Sequence, residues 1–292
     1  MSVKRLTGTG IWDTAMRFGD PVAAADHAAE LEELGYSAVW MPDAGGDLFG
    51  ALSSLLATTK SITVASGILN LWMQDPVNTA ARFQELVAIY GPRLLIGIGV
   101  SHAQLVDSTE PGRYDRPLAH MRTFLDELDA APRPLSVGDR LLAALGPRML
   151  ELARDRAGGA HPYLVSPEHT AFARQILGPG PLLAPEQAVI LETDPTRARA
   201  LARKNMMLYF ALPNYVNNWR RLGFSEADVT APGSDRLIDA MVAWGDEQAI
   251  EDRVRAHRDA GADHVCIQTV IEREDPSVFP VEQWRRLAPV LV

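Results

Sequence analysis

Short apolar runs alternate with helix-like segments along nearly the whole chain of 292 residues. Four of the helix starts are marked by a capping residue followed by proline: Asp20-Pro21, Asp75-Pro76, Ser166-Pro167 and Asp194-Pro195. The capping oxygen accepts hydrogen bonds from the first free N–H groups, and a proline at the first helical position gives up a donor that would be unpaired anyway. The alternation therefore predicts repeated βα units, which build a parallel sheet covered by helices.

The apolar runs predict eight strands. Their ranges are 8–12, 37–41, 62–68, 93–99, 140–145, 159–164, 183–191 and 263–269. Eight parallel strands separated by helices favour a closed α/β barrel, the (β/α)8 or TIM barrel, over an open sheet, and the chain length is usual for one such barrel. We therefore predict a single domain over residues 1–292.

The connection between the seventh and eighth predicted strands breaks this rhythm. Residues 192–263 are far more than a single helix requires. We predict helices from Pro195, around 215–222 and over 235–244. We interpret residues 193–262 as a helical insertion that packs over the mouth of the barrel.

Composition and charge exclude several classes of protein. The net charge is -9 and no run of Lys or Arg is present, so we expect no nucleic-acid partner. The apolar stretches are only strand-length, and no apolar segment follows the basic residues of the N-terminus, so we expect no membrane partner and no signal peptide. With one cysteine and no His-x-His or His-Glu-x-x-His motif, we predict no metal site. These features predict a cytoplasmic protein.

Two glycine motifs lie where strands end, which is where α/β barrels build their active sites. Gly97-x-Gly99 removes side chains where the backbone could approach a large flat molecule, although a plain strand-to-loop bend would also explain it. Gly146-Pro147 opens a helix directly after a strand, so its free N–H groups could bind a phosphate. Ordinary helix initiation is the alternative interpretation.

Polar and aromatic residues also cluster at neighbouring strand ends. They are Asp43, Asn70, Trp72, Ser101 and His102. Each of them could be a satisfied structural residue, but their convergence indicates an active site. Because no nucleophile or metal motif accompanies them, redox chemistry on a bound organic coenzyme remains.

The sequence resembles the luciferase-like monooxygenase superfamily, and within it the branch that uses the deazaflavin coenzyme F420. The stretches that carry the resemblance are 31–36, 92–102, 142–150 and 159–163. The resemblance implies an oxidoreductase that transfers a hydride between F420 and a small-molecule substrate, in a barrel that commonly forms homodimers. An FMN-dependent monooxygenase is the alternative on the same scaffold. A coenzyme-binding protein without catalysis is a third interpretation.

The resemblance also implies roles for individual residues. Asp43 occupies the place of an acidic residue beside the coenzyme ring, but Ala44 stands where many deazaflavin-dependent dehydrogenases have a catalytic histidine. His102 takes the place of a glutamate acid in some relatives, so we name His102 and Asp43 as candidate catalytic residues. The implied coenzyme-binding residues are Asp43, Ser66, Gly67, Ile68, Gly99, Val100, Ser101, Leu145, Gly146, Pro147, His161 and Ser166.

Ser66, Gly67 and Ile68 match the family's bulge after strand three, which often contains a non-proline cis peptide. The substrate pocket is expected to be formed by Trp12, Asn70, Trp72 and the insertion.

Overall fold

The strands of the protein form one parallel sheet. A computed structural model describes residues 6–43, 45–108 and 110–292. In chain order its strands are β1 Gly8–Trp12, β2 Ala38–Met41, β3 Thr63–Asn70, β4 Leu94–Gly99, β5 Arg140–Leu142, β6 Gly159–Ala160, β7 Leu182–Leu183, β8 Glu186–Ile190, β9 Val242–Trp244 and β10 His264–Thr269. Their order in the sheet is β7-β6-β5-β4-β3-β2-β1-β10-β8-β9.

Helices connect these strands. They are α1 Ala15–Phe18, α2 Pro21–Glu33, α3 Leu48–Thr58, α4 Pro76–Tyr90, α5 Ala103–Val106, α6 Pro117–Ala130, α7 Pro147–Arg156, α8 Pro167–Leu177, α9 Pro195–Met206, α10 Pro213–Arg221, α11 Glu226–Val229, α12 Asp235–Met241, α13 Glu247–Asp259 and α14 Val281–Leu291, with short 3₁₀ turns at Val137–Asp139 and Met207–Ala211. Within the described ranges, no helix is both long and apolar enough to cross a membrane.

The four helix starts predicted from capping residue and proline are confirmed. Asp20, Asp75 and Asp194 each accept hydrogen bonds from backbone N–H groups of the first turn. Ser166 heads α8 at the predicted place, but its hydroxyl caps no N–H group of the described chain. The sequence signal therefore locates all four helices, while the side-chain cap that usually accompanies it is made only by the three aspartates.

Three predicted strands are longer than the observed ones. β5 ends at Leu142 and β6 at Ala160, because the residues that follow leave the sheet and line a cavity. The predicted strand 183–191 is divided into β7 and β8 around Pro185, which has no N–H group to donate to a neighbouring strand.

The sheet is curled, so that the consecutive strands β7 and β8 pair with two strands that are far apart in the sheet order. β7 pairs with β6, while β8 pairs with β10. At Leu183 itself the carbonyl oxygen accepts a hydrogen bond from the Asp263 N–H, just before β10. Residues 182–190 therefore contact both β6 and β10.

The segment after β8 differs from its prediction at one point. A helix begins at Pro195 as predicted, and the helix predicted around 215–222 is observed at Pro213–Arg221, but the helix predicted over 235–244 ends at Met241. Residues 242–244 form β9, which pairs in parallel with Ala188–Ile190 of β8. Because β8 offers an unpaired edge there, a strand satisfies the backbone better than a further helical turn.

Both faces of the sheet are buried. Every residue of β2, β4 and β10 is buried. Successive residues of a strand point to opposite faces, so Trp40, Ala65 and Leu95 form one cluster and Val39 and Val64 belong to another, packed against the helices. This packing fixes the strand ends, where the chain places its polar residues.

Candidate active site

A cavity of about 700 Å³ opens at the carboxyl ends of the strands. Most of the residues predicted for the site line it: Trp12, Asp43, Gly67, Ile68, Asn70, Gly99, Val100, Ser101, His102, Leu145, Gly146, Pro147 and His161. Residues from β1, β3 and β4 and from the loops after β2, β5 and β6 therefore meet in one space.

Three of the predicted site residues lie outside this lining. The Ser66 hydroxyl donates to the Gly97 carbonyl oxygen over 2.9 Å and is fully buried. The Trp72 indole donates to the Val100 carbonyl oxygen over 2.7 Å and its side chain lines a second cavity. Ser166 is buried at the start of α8. Ser66 and Trp72 bond the backbone of residues in or next to the cavity wall.

The Asp43 carboxylate is held rigidly between two strand ends. Its Oδ2 atom accepts from the Asn70 N–H over 3.1 Å and from the Gln74 side-chain amide over 2.9 Å. Its Oδ1 atom accepts from the Gly45 N–H over 3.3 Å. The side chain is nearly buried, so its orientation toward the cavity is set by these bonds. Ala44, where the sequence departs from the histidine of related dehydrogenases, lies outside the described residues.

β3 contains the bulge that the resemblance predicts. The Gly67–Ile68 peptide bond is cis, and the pairing with β4 shifts register between Ser66 and Leu69. The Trp12 indole N–H donates to the Gly67 carbonyl oxygen over 2.7 Å, which ties the bulge to the end of β1.

The glycines of Gly97-x-Gly99 make room for this bulge. A Cβ atom at residue 97 would lie 2.3 Å from the Ser66 carbonyl oxygen, and one at residue 99 would lie 2.5 Å from Cδ1 of Ile68. Gly99 lines the cavity, but the space of its missing side chain is taken by Ile68. The two glycines are thus needed by the packing of β3 against β4, which is a different reason from a direct approach to a ligand.

His102 is a partly buried imidazole on the cavity wall, and one of its two nitrogens is unpaired. It stands at the start of α5 but makes no capping bond there, and its Nδ1 atom is buried with no hydrogen-bond partner among the described residues. Burial lowers its pKa below the ordinary 6.5. The ring centroid lies 5.8 Å from that of Tyr215. A purely structural role for His102 would be to cap the start of α5. The structure shows no such capping bond, which argues against that role.

His161 presents a hydrogen-bond acceptor to the cavity. Its Nδ1 atom lies 2.7 Å from the Ala184 carbonyl oxygen and must therefore donate, which leaves Nε2 without a proton. Nε2 is buried, and none of the residues that the structure describes bonds to it. A Cβ atom at Gly67 would lie 3.1 Å from Nε2, and burial lowers the pKa of His161 to about 4. An N–H or O–H group of a bound molecule would satisfy this atom.

The start of α7 forms the cationic end of the cavity. Gly146 precedes Pro147, and the nearest described atom to a Cβ atom at Gly146 would be a guanidinium nitrogen of Arg221 at 3.9 Å. Arg148 and Arg221 both line the cavity. Free N–H groups at a helix start and two guanidiniums suit a phosphate group.

Sequence reasoning missed part of this lining. Four of the six tyrosines of the chain line the cavity, namely Tyr114, Tyr163, Tyr209 and Tyr215, and Arg221 joins them. The close spacing of Tyr209, Phe210 and Tyr215 in an otherwise tyrosine-poor chain was the available signal. It indicates an aromatic surface but not what that surface faces.

Glu186 is a buried carboxyl group beneath the cavity wall. Its Oε2 atom accepts from the Leu164 N–H over 2.8 Å, whereas Oε1 has no donor in the described part of the chain. Burial raises the pKa of Glu186 from 4.5 to about 8. The group is therefore protonated in the folded protein at neutral pH.

We expect Glu186→Gln to flatten the pH dependence of thermal stability. The folded protein keeps a proton that the unfolded chain releases above about pH 4.5, so the free energy of unfolding should fall as the pH rises toward about 8 and then level off. The slope is at most about 1.4 kcal/mol per pH unit. The check is the melting temperature of both proteins over this range. The difference between them should widen with pH, and a constant difference would contradict a neutral Glu186.

The parallel α/β fold and the cavity at its strand ends are the arrangement of an α/β enzyme, and comparison with known proteins identifies the family. Residues 2–264 match the luciferase-like monooxygenase family model. The chain therefore belongs to the luciferase-like monooxygenase family.

Three similar proteins illustrate the range of this family. A 5,10-methylenetetrahydromethanopterin reductase from Methanolobus tindarius is 28% identical over 163 residues, which are 48% of this chain and 50% of that protein. The chain thus matches about half the length of this curated relative. An F420-dependent secondary alcohol dehydrogenase, solved with an F420–acetone adduct, has a TM-score of 0.71 at 14% identity, covering 99% of this chain and 98% of its own.

The third is a type II Baeyer–Villiger monooxygenase solved with FMN, a constituent of 3,6-diketocamphane monooxygenase from Pseudomonas putida. It has a TM-score of 0.67 at 13% identity and covers 98% of this chain and 97% of its own. The likeness to the two solved structures concerns the fold.

Proposed function

We propose that the protein is an oxidoreductase that transfers a hydride between coenzyme F420 and a small organic substrate. The observation that supports the proposal most strongly is the composition of the cavity wall. It contains the β3 bulge, the fixed Asp43 carboxylate and, at Gly146, a helix start that suits a phosphate group. F420-dependent enzymes among the solved structures of similar fold support the choice of coenzyme.

The residues present fit a deazaflavin. The bulge at Ser66–Ile68 would support one face of the ring, and Asp43 would accept a hydrogen bond at its edge. The unprotonated Nε2 of His161 offers a second acceptor on the same wall. When bound, the coenzyme supplies or accepts the hydride.

The phosphate of the coenzyme tail would lie at the cationic end of the cavity. The backbone of Leu145 and Gly146 would hold it at the start of α7, with Arg221 nearby. The His169 ring bonds the Leu145 carbonyl oxygen over 2.9 Å and so fixes this turn. Ser166, at the start of α8, would lie near the same phosphate.

His102 would handle the proton that accompanies hydride transfer. Its ring lies in the cavity wall, and no described residue bonds to its buried Nδ1 atom. A histidine with a pKa near or below neutrality can both give and take a proton at physiological pH.

We further propose that the sheet closes into a barrel of eight strands, in which residues 182–190 count as one strand and β9 is an addition beside it. In this proposal the helices between β8 and β9 cover the barrel mouth as an insertion within a single domain. Contacts of residues 182–190 with both β6 and β10 support the closure. Tyr209, Tyr215 and Arg221 support the covering position, because they bring the insertion into the cavity wall. A homodimer in the cytoplasm remains a prediction of the sequence.

An FMN-dependent monooxygenase is the second candidate, favoured by the fold likeness to an FMN-bound enzyme. To separate the two, the protein is mixed with F420 and a panel of secondary alcohols, or with reduced F420 and a panel of ketones and imines. We expect a protein-dependent change in the visible absorbance of the coenzyme without oxygen uptake. Oxygen uptake with reduced FMN, and no change with the deazaflavin, would favour the monooxygenase. Coenzyme binding without turnover in either assay would favour the non-catalytic interpretation.

A further inference from the structure

One side of the cavity is an unbroken aromatic surface, which we call the aromatic wall: Trp12, Tyr163, Tyr209 and Tyr215. The ring centroids are 5.3 Å apart between Trp12 and Tyr163, 5.7 Å between Tyr163 and Tyr209, and 4.8 Å between Tyr209 and Tyr215. All four residues line the cavity. The insertion supplies two of them, and the ends of β1 and β6 supply the others.

The hydroxyl groups of the wall form a chain with a fixed direction. The Tyr163 hydroxyl donates over 2.6 Å to the Oε1 atom of Gln268 on β10. Because that oxygen can only accept, the Tyr163 oxygen accepts from the Tyr209 hydroxyl, 3.2 Å away. The Tyr209 proton is thereby engaged, and the Tyr209 oxygen is left to accept a further hydrogen bond.

The aromatic wall carries no charge at neutral pH. Burial raises the pKa of Tyr209 to about 12 and those of Tyr163 and Tyr215 well above their ordinary value. Behind them, burial raises the pKa of Glu186 to about 8, so this carboxyl group is also neutral. The cationic part of the lining is separate from these four residues and consists of the start of α7 with Arg148 and Arg221.

We propose that the aromatic wall is the substrate subsite, and that it selects a neutral, flat, ring-bearing molecule that donates a hydrogen bond to the Tyr209 oxygen. This assignment rests on the proposed function, in which the cationic end holds the coenzyme phosphate. A flat ring gains stacking contacts with the tyrosines. An anionic substrate would have to give up its hydration against neutral rings, which is costly.

Three probes of one shape test the assignment: naphthol, methoxynaphthalene and naphthoate. They are titrated into the full-length protein, with and without saturating F420, and binding is measured by calorimetry. We expect naphthol to bind roughly twofold to tenfold more tightly than methoxynaphthalene, because only naphthol can donate to Tyr209. We expect naphthoate to bind at least about tenfold more weakly than naphthol.

Tyr209→Phe should abolish the preference for naphthol over methoxynaphthalene while leaving the binding of the ether unchanged. Tyr90→Phe is the matched control, because Tyr90 bonds to Ser53 and is absent from the cavity lining. Naphthoate binding as tightly as naphthol, or a preference that survives Tyr209→Phe, would overturn the proposal. Loss of F420 binding with the naphthol pattern intact would instead overturn the proposed function.

Discussion

Gly146→Asp should abolish coenzyme binding and leave the protein folded. The new carboxylate would lie among the free N–H groups at the start of α7, within reach of Arg221, where the phosphate of the coenzyme is expected. Two negative charges about 4 Å apart repel by roughly 4 kcal/mol at the effective dielectric of a protein surface. That energy corresponds to roughly a thousandfold weaker Kd. Fluorescence titration with F420 measures the loss.

Folding should survive this substitution because the position has room. The nearest described atom to an added Cβ atom is 3.9 Å away, and the backbone φ of Gly146 is −95°, which any residue adopts. Gly146→Asn is the matched control, since it has the same size without the charge, and circular dichroism reports the fold of both variants. Equal F420 binding by the Asp and Asn variants would mean that the phosphate lies elsewhere.

His102→Ala should lower turnover by roughly two to four orders of magnitude, the usual contribution of a positioned acid or base. F420 affinity should change little, because the proposed supports of the ring are the β3 bulge and Asp43. The measurement is the steady-state rate with a substrate found in the coenzyme assay.

The pH profile separates a catalytic His102 from a structural one. Burial lowers the pKa of this ring, so the wild-type rate should show an ionisation below the ordinary 6.5 that disappears in His102→Ala. His120→Ala is the control, because His120 lines the second cavity and not the first. Near-normal turnover of the His102 variant would direct the search for the acid to Asp43 or to Tyr209 and Tyr215.

The strand-end part of the site could be predicted from the sequence, because in a parallel α/β fold the topology alone brings strand ends together. Asp43, Asn70 and His102 each follow a recognisable strand, and they meet in one cavity. Gly146-Pro147 was predictable for a similar reason, since a helix start directly after a strand exposes its N–H groups at the same end.

The contribution of the helices after β8 could not be predicted. Tyr209 and Tyr215 reach the cavity through long-range packing of these helices, and no local spacing connects them to a strand end. The strand β9 was missed because residues 242–244 continue an amphipathic helical pattern, while the unpaired edge of β8 decides their conformation.

Gly97 and Gly99 show that a sequence can point to the correct place in the site without revealing the physical reason for the residue type. For Gly97-x-Gly99 the sequence left open a close approach to a flat ligand or a plain strand-to-loop bend, whereas the space beside both glycines is occupied by the bulge of β3 through Ser66 and Ile68. The close approach is between two strands of the protein. A single sequence cannot separate these causes, since both require the same missing side chain.

The central claim is that the cavity holds coenzyme F420, and a competition titration tests it most directly. The purified protein is titrated with F420 and, separately, with FMN, and FMN is then added to the F420-saturated protein; the coenzyme fluorescence is followed in each case. We predict saturable quenching of F420 at concentrations where FMN is not yet bound, and failure of FMN to displace F420. Tight binding of FMN with no detectable binding of F420 would contradict the account.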